Sequence, residues 1–138
     1  MSESTIPECP FCRIAEERII LHSELGFTVF DAIPVSPGHS LVIPRRHVAS
    51  FFDLTGAEVM ALHELLQVMR SYIQQAFSPD GYNIGVNIGR GAGQTVAHAH
   101  VHLIPRYLGD VPVPEGGIRN VILGKGRYRE VCDEPEAS

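Results

Sequence analysis

Apolar residues recur every three or four positions from Val59 through Leu62, Leu66, Met69 and Ile73 to Phe77, and Thr55-Gly-Ala-Glu58 ahead of them has the form of a capping box. The pattern predicts one long amphipathic helix that closes near Ser78-Pro-Asp-Gly81. Elsewhere the signals are shorter. Phe27 to Phe30 and Ser40 to Ile43 read as strands, and the stretch between them carries Pro34, Pro37 and Gly38 and must be a loop, which puts Asp31 and His39 at strand ends. Two more strands are expected over Tyr82 to Ile88 and His98 to Ile104, joined by the glycine-rich stretch Gly89 to Thr95. A last short strand is expected around Asn120 to Leu123, and loose helical spacing from Ile14 to Leu21 suggests a short helix or turn. The sum is an α+β fold: an antiparallel sheet of about five strands with one long and one short helix.

Composition narrows the class. With 138 residues and 44% apolar content, the chain has material for one core, so a single domain over residues 1–138 is expected, with a core over about 9–110 and a Gly/Pro-rich tail over 111–138. The last residues, Cys132 to Ser138, look acidic and frayed. Eleven Lys and Arg face sixteen Asp and Glu, and a net charge of -5 argues against holding polynucleotides by counterion release. No basic segment leads an apolar one at the start, and no apolar run approaches the ~20 residues of a membrane span. The expectation is a cytoplasmic protein with neither nucleic-acid nor membrane partners. Three cysteines, Cys9 and Cys12 as a Cys-x-x-Cys pair and Cys132 alone, do not make the dense framework of a secreted disulfide scaffold.

The chemistry concentrates in His98-Ala-His100-Val-His102. In a strand, alternate residues share a face, so three imidazoles would point one way while Ala97, Ala99, Val101 and Leu103 point to the core. A helix would pair only His98 with His102, and the flanking glycines, Val96, Val101, Ile104 and Pro105 favour the strand. A His-x-His pair can also hold a catalytic zinc, but no further ligands stand immediately downstream.

These residues resemble the motif of the histidine-triad (HIT) superfamily. The likeness runs from about Cys9 to Asp110: Phe30-Asp31, then Pro37-Gly38-His39 through Pro44-Arg-Arg-His47, then the helix, then Asn87, Gly93-Gln94-Thr95-Val96 and the histidines. The resemblance implies that His100 is a nucleophile attacking the α-phosphorus of a nucleotide, forming a nucleotidyl-imidazole that water hydrolyses to a nucleoside monophosphate. Imidazole suits the task, being neutral near pH 7 and a good leaving group once protonated. His98, His102 and His39 would complete the catalytic set, with His39 and the His98 carbonyl setting the His100 tautomer. The Gln94 amide, the Thr95 hydroxyl, His102 and loop N–H groups would meet the phosphate charge. Asp31 would take the ribose hydroxyls, and Asn87 would position the phosphate or leaving group. The family also implies a homodimer built by continuing the sheet across an edge.

Cys9-Pro-Phe-Cys12 is similar both to glutaredoxin redox motifs and to half of a zinc site. Eight mostly polar residues precede Cys9 and offer no core strand for a redox fold, which favours zinc. Some HIT relatives, and galactose-1-phosphate uridylyltransferases, use such a pair with two histidines, matched here by His47 and His98. Four protein ligands leave no open position, so the metal would be structural; no organic cofactor is expected.

Gly93-Gln94-Thr95-Val96 and Pro105-Arg106 look more like the fragile-histidine-triad branch, which hydrolyses dinucleoside polyphosphates, than the branch preferring nucleoside phosphoramidates. The tail from Arg106 to Arg119 resembles bacterial diadenosine tetraphosphate hydrolase-like members, with Arg119 a candidate for a distal phosphate and adenine the expected base. Three alternatives stand: a phosphoramidate hydrolase, a nucleotide-binding or interaction module with vestigial activity, and a nucleotidyltransferase, for whose acceptor domain the chain lacks room.

Overall fold

The computed structural model describes residues 6–127. They fall into two compact units, one ending at Arg106 and one beginning at Tyr107. The first holds five strands, β1 (Ile19–His22), β2 (Gly26–Phe30), β3 (Ser40–Pro44), β4 (Gly81–Gly85) and β5 (Val101–Arg106), and the helix α1 (Gly56–Phe77). The strands form one antiparallel sheet in the order β1-β2-β3-β5-β4. The fold is therefore α+β, with one α-helix among the described residues.

Alternation along the strands divides the core between the two faces. Val42, Val101 and Leu103 meet Leu62, Leu65, Met69 and Ile73 of α1, while Phe27, Val29, Leu41 and Ile43 pack against Phe11, Ile14 and Ile19. The helix starts as the sequence predicts: Thr55 accepts from the Glu58 N–H at 3.0 Å, and the Glu58 carboxylate accepts from the Thr55 N–H at 2.8 Å. Its buried stripe is rotated from the expected one. Leu65 is buried and Val59 is 39% exposed, because Glu58 turns inward to bind Arg46.

Four element expectations need correction. Residues 14–21 contain no short helix: a single 3₁₀ turn, Glu16–Arg18, leads into edge strand β1, since β-branched Ile19 and Ile20 favour extended backbone and Ile19, Leu21 and His22 pair with β2. Asn120 to Leu123 is not a strand either. It overlaps the 3₁₀ turn Gly117–Val121, in which the Asn120 amide donates to the Gly117 carbonyl. The expected strand over Tyr82 to Ile88 ends at Gly85, where its pairing with β5 stops at His102. The histidine strand begins only at Val101, because the Ala99 N–H bonds the Val48 carbonyl at 2.7 Å instead of a sheet neighbour. Cys132 and the acidic end lie outside the described residues. No helix among the described residues is long and apolar enough to cross a membrane.

Candidate active site and metal centre

Because strand β5 starts late, the three histidines do not share one open face. His98 is fully buried, His100 is 8% exposed, and only His102 lies in β5 proper. Each ring has a hydrogen-bond partner that assigns its tautomer. The His98 Nε2–H donates to the Pro44 carbonyl at 2.8 Å, which leaves its Nδ1 lone pair 3.4 Å from Cys9 Sγ and 3.6 Å from Cys12 Sγ. The His100 Nδ1–H donates to the His98 carbonyl at 2.8 Å, so the free lone pair of His100 is on Nε2.

His39 starts a second chain of bonds. The Val35 amide can only donate, so at 3.1 Å it claims the Nδ1 lone pair of His39 and places that ring's proton on Nε2. This Nε2–H faces His102 Nδ1 at 3.0 Å, with Asp31 Oδ2 farther away at 3.5 Å. His102 thus accepts through Nδ1 and keeps a proton on Nε2. The expectation that His39 sets the tautomer of His100 is corrected: it touches His102, and the His98 carbonyl alone sets His100. Asp31, His39 and His102 group their polar atoms as a metal site would, but the one lone pair of a neutral His39 is already taken, so the group is a hydrogen-bond relay. Burial depresses the basicity of His39, His98 and His102; the nearby Asp31 carboxylate opposes this at His39, and the Pro44 carbonyl opposes it at His98. All three are consequently neutral near pH 7.

Cys9, Cys12, His47 and His98 bring their ligand atoms within 4.8 Å of one another. The Cys12 Sγ to His47 Nδ1 distance is 3.4 Å. A tetrahedral zinc with ordinary Zn–S and Zn–N bonds spaces its sulfur and nitrogen ligands about 3.6 Å apart, close to these S···N separations. Donor set and spacing therefore fit zinc. Burial pushes the Cys12 thiol up, although the Ile6 N–H at 3.2 Å works the other way, so a metal would displace a proton on binding.

The glycine loop is held by Gln94. Its Oε1 accepts from the Gly89 N–H at 2.8 Å, and its Nε2 donates to the carbonyls of Ala49 at 2.8 Å and Val96 at 3.0 Å. The expected phosphate donor is here a brace for the loop. Thr95 and Asn87 are exposed, and Thr95 lines a cavity of about 340 Å³ with Cys9, Pro10 and His47. Asp31, just past β2, accepts from the Ile33 N–H at 2.8 Å through Oδ1. Arg119 lies in the second unit, where its Nε donates to the Lys125 carbonyl at 3.1 Å.

Sequence reasoning missed four supports. Val35 acts through its backbone and leaves no side-chain signal. Phe11, between the cysteines, sets its ring against His98 and His100 with centroids 5.9 and 4.9 Å away. Arg46 and Glu58 form a two-pronged ion pair at 2.8 and 2.9 Å, for which adjacency to His47 and the capping box were the available clues.

A family model described as the HIT domain matches residues 13–109. The chain belongs to the HIT domain family. Among HIT relatives, the Dictyostelium discoideum bis(5'-adenosyl)-triphosphatase is 40% identical over 93 residues, covering 67% of this chain and 62% of that protein. The Mycobacterium tuberculosis AP-4-A phosphorylase is 35% identical over 115 residues, covering 79% of this chain and 59% of the relative. A zinc-bound histidine triad family protein from Mycobacterium smegmatis superposes with a TM-score of 0.69 at 33% identity, over 75% of this chain and 78% of the other. The chain thus spans about three fifths of the two enzymes' lengths.

Proposed function

We propose that this HIT protein hydrolyses dinucleoside polyphosphates at the α-phosphate through His100, releasing a nucleoside monophosphate. One observation carries the reading: the His98 carbonyl holds His100 Nδ1–H and leaves Nε2 as the nucleophile, ring to ring with His102 at 5.1 Å. His100 Nε2 attacks the α-phosphorus, an N–P bond forms and the P–O bond to the leaving nucleotide breaks. Water then cleaves the N–P bond. His102 Nε2–H, oriented by His39, donates to a phosphoryl oxygen in both steps, where charge builds. The relatives' names, a triphosphatase and a phosphorylase acting on such compounds, support the substrate class.

Asp31 accepts from the ribose hydroxyls, Asn87 positions the phosphate or leaving group, and Thr95 with the loop N–H groups meets the phosphate. Gln94 first keeps that loop in shape. Adenine is assigned to the base. Zinc on Cys9, Cys12, His47 and His98 supplies a structural clamp on the segment leading to His100 and takes no part in the reaction. The homodimer belongs to the same reading. Strand β4 is the edge fit to continue the sheet, since β1 carries a register break between Ile19 and Leu21, and Ile84 on β4 is 51% exposed beside Leu66 and Tyr82. A reducing, cytoplasmic setting agrees with thiol ligands.

The test compares wild type with His100→Ala on diadenosine tetraphosphate and adenosine 5'-phosphoramidate, reading AMP by ion-exchange chromatography. AMP is expected mainly from the polyphosphate, with a loss of roughly a thousandfold or more in the variant. Faster phosphoramidate cleavage would move the chain to the other branch. Binding of AMP without turnover of either substrate would make it a binding module.

A further inference from the structure

The nucleophile's ring is held at one nitrogen, and a single hydrogen bond leaves an imidazole free to rock about the N–H···O axis. Two other rings flank it. His102 lies at 5.1 Å with planes at 62°, and Phe11 lies at 4.9 Å with planes at 78°, an edge-to-face contact. Phe11 is well placed to act as a stop. Its ring packs on the core cluster of Phe27, Val29, Leu41 and Ile43, and its backbone sits in the turn between the two ligand thiols, closed by the Cys12 N–H on the Cys9 carbonyl at 3.1 Å. The same ring meets His98 at 5.9 Å. The metal-ligand turn and the reacting imidazole therefore share one aromatic side chain.

We propose that Phe11 is a positioning residue that transmits order in the Cys9-to-Cys12 turn to His100, holding the imidazole so that Nε2 faces the substrate phosphorus. This rests on the reading of His100 as nucleophile and goes beyond it, because it gives the metal turn a route to the reacting nitrogen. A filled turn keeps Phe11 against His100. An emptied turn lets the ring withdraw, and the His100 imidazole then samples its other rotamer and tautomer.

The experiment uses the zinc-loaded full-length chain and its Phe11→Leu variant, with Phe11→Tyr as the conservative replacement that keeps a ring. Three quantities are read: zinc per chain with a colorimetric chelator, kcat and KM for AMP release from diadenosine tetraphosphate, and the His100 tautomer from ¹⁵N-histidine spectra. Phe11→Leu is expected to keep its zinc, to lose about tenfold in kcat with KM little changed, and to show mixed His100 tautomers. Phe11→Tyr restores both. Removing zinc from wild type should mix the His100 tautomer as Phe11→Leu does, and in Phe11→Leu zinc removal should add nothing at His100. Unchanged kcat and tautomer in Phe11→Leu overturn the proposal, as does a loss confined to KM, which makes the ring only a wall for the substrate. Fully additive effects of variant and zinc removal also overturn it. If wild type turns over no substrate, the nucleophile reading falls and the spectra alone decide the coupling. Phe11→Met, which keeps a long apolar side chain, replaces Phe11→Leu should the latter not fold.

Discussion

Glu58 allows a prediction whose size follows from the structure. Its carboxylate, 5% exposed, accepts two bonds from Arg46 at 2.8 and 2.9 Å and one from the Thr55 N–H at 2.8 Å. The hydrogen bonds from Arg46 are the main cause that brings its pKa from 4.5 to about 2. That gap corresponds to about 3 kcal/mol of stability. Arg46 is 41% exposed, however, and solvent screening brings the expected contribution to about 2 kcal/mol. The folded-state pKa is depressed, so the contribution is complete above the unfolded value of 4.5 and drains away as pH falls through about 2. Glu58→Gln cannot ionise. Urea unfolding followed by circular dichroism, run on both proteins from pH 7 to pH 2.5, should show wild type more stable by about 2 kcal/mol plus a flat offset for the altered amide. The pH-dependent part should shrink between pH 4.5 and the acid end. Carboxylates common to both proteins cancel in the difference. A difference that stays flat with pH would falsify the assignment of that stability to the Glu58 charge.

Two further outcomes are expected. Chelation should release one zinc per chain and lower the thermal midpoint, because a site filled at a thousandfold its Kd contributes about 4 kcal/mol to the folded state; scanning calorimetry with and without chelator checks this, and an unmoved midpoint speaks against a structural metal. Ile84→Glu on the β4 edge should halve the mass seen by sedimentation equilibrium while leaving the helical circular dichroism in place, and a mass unchanged from wild type would place the contact elsewhere.

What could be read from the chain depended on how local each cause is. The long helix was legible because its cap, its period and its Ser78 stop all lie within one stretch, and Ser78 indeed takes a left-handed conformation with φ 52°. Asp31 and His39 were placed correctly at strand ends, since proline and glycine between them leave few alternatives. Strand β1 was not legible: charged residues precede Ile19, and its pairing with β2 is a tertiary matter. The histidine spacing singled out three residues and misjudged their surroundings. The cause is a backbone bond from Ala99 to Val48, 51 positions away, that keeps His98 and His100 out of the ladder. The inward turn of Glu58 has the same kind of origin, a partner at Arg46 that no window of helical spacing contains.

The four residues from Arg46 to Ala49 hold several remote pieces at once. Arg46 grips α1, the His47 ring joins the thiol cluster, the Val48 carbonyl receives Ala99 ahead of strand β5, and the Ala49 carbonyl receives Gln94. Such a segment has a spacing that cannot drift. Inserting or deleting one residue would misalign all of these attachments together, with no partial solution between. Variation in chain length among relatives should therefore collect elsewhere and leave this short bridge uninterrupted, even where its side chains are exchanged.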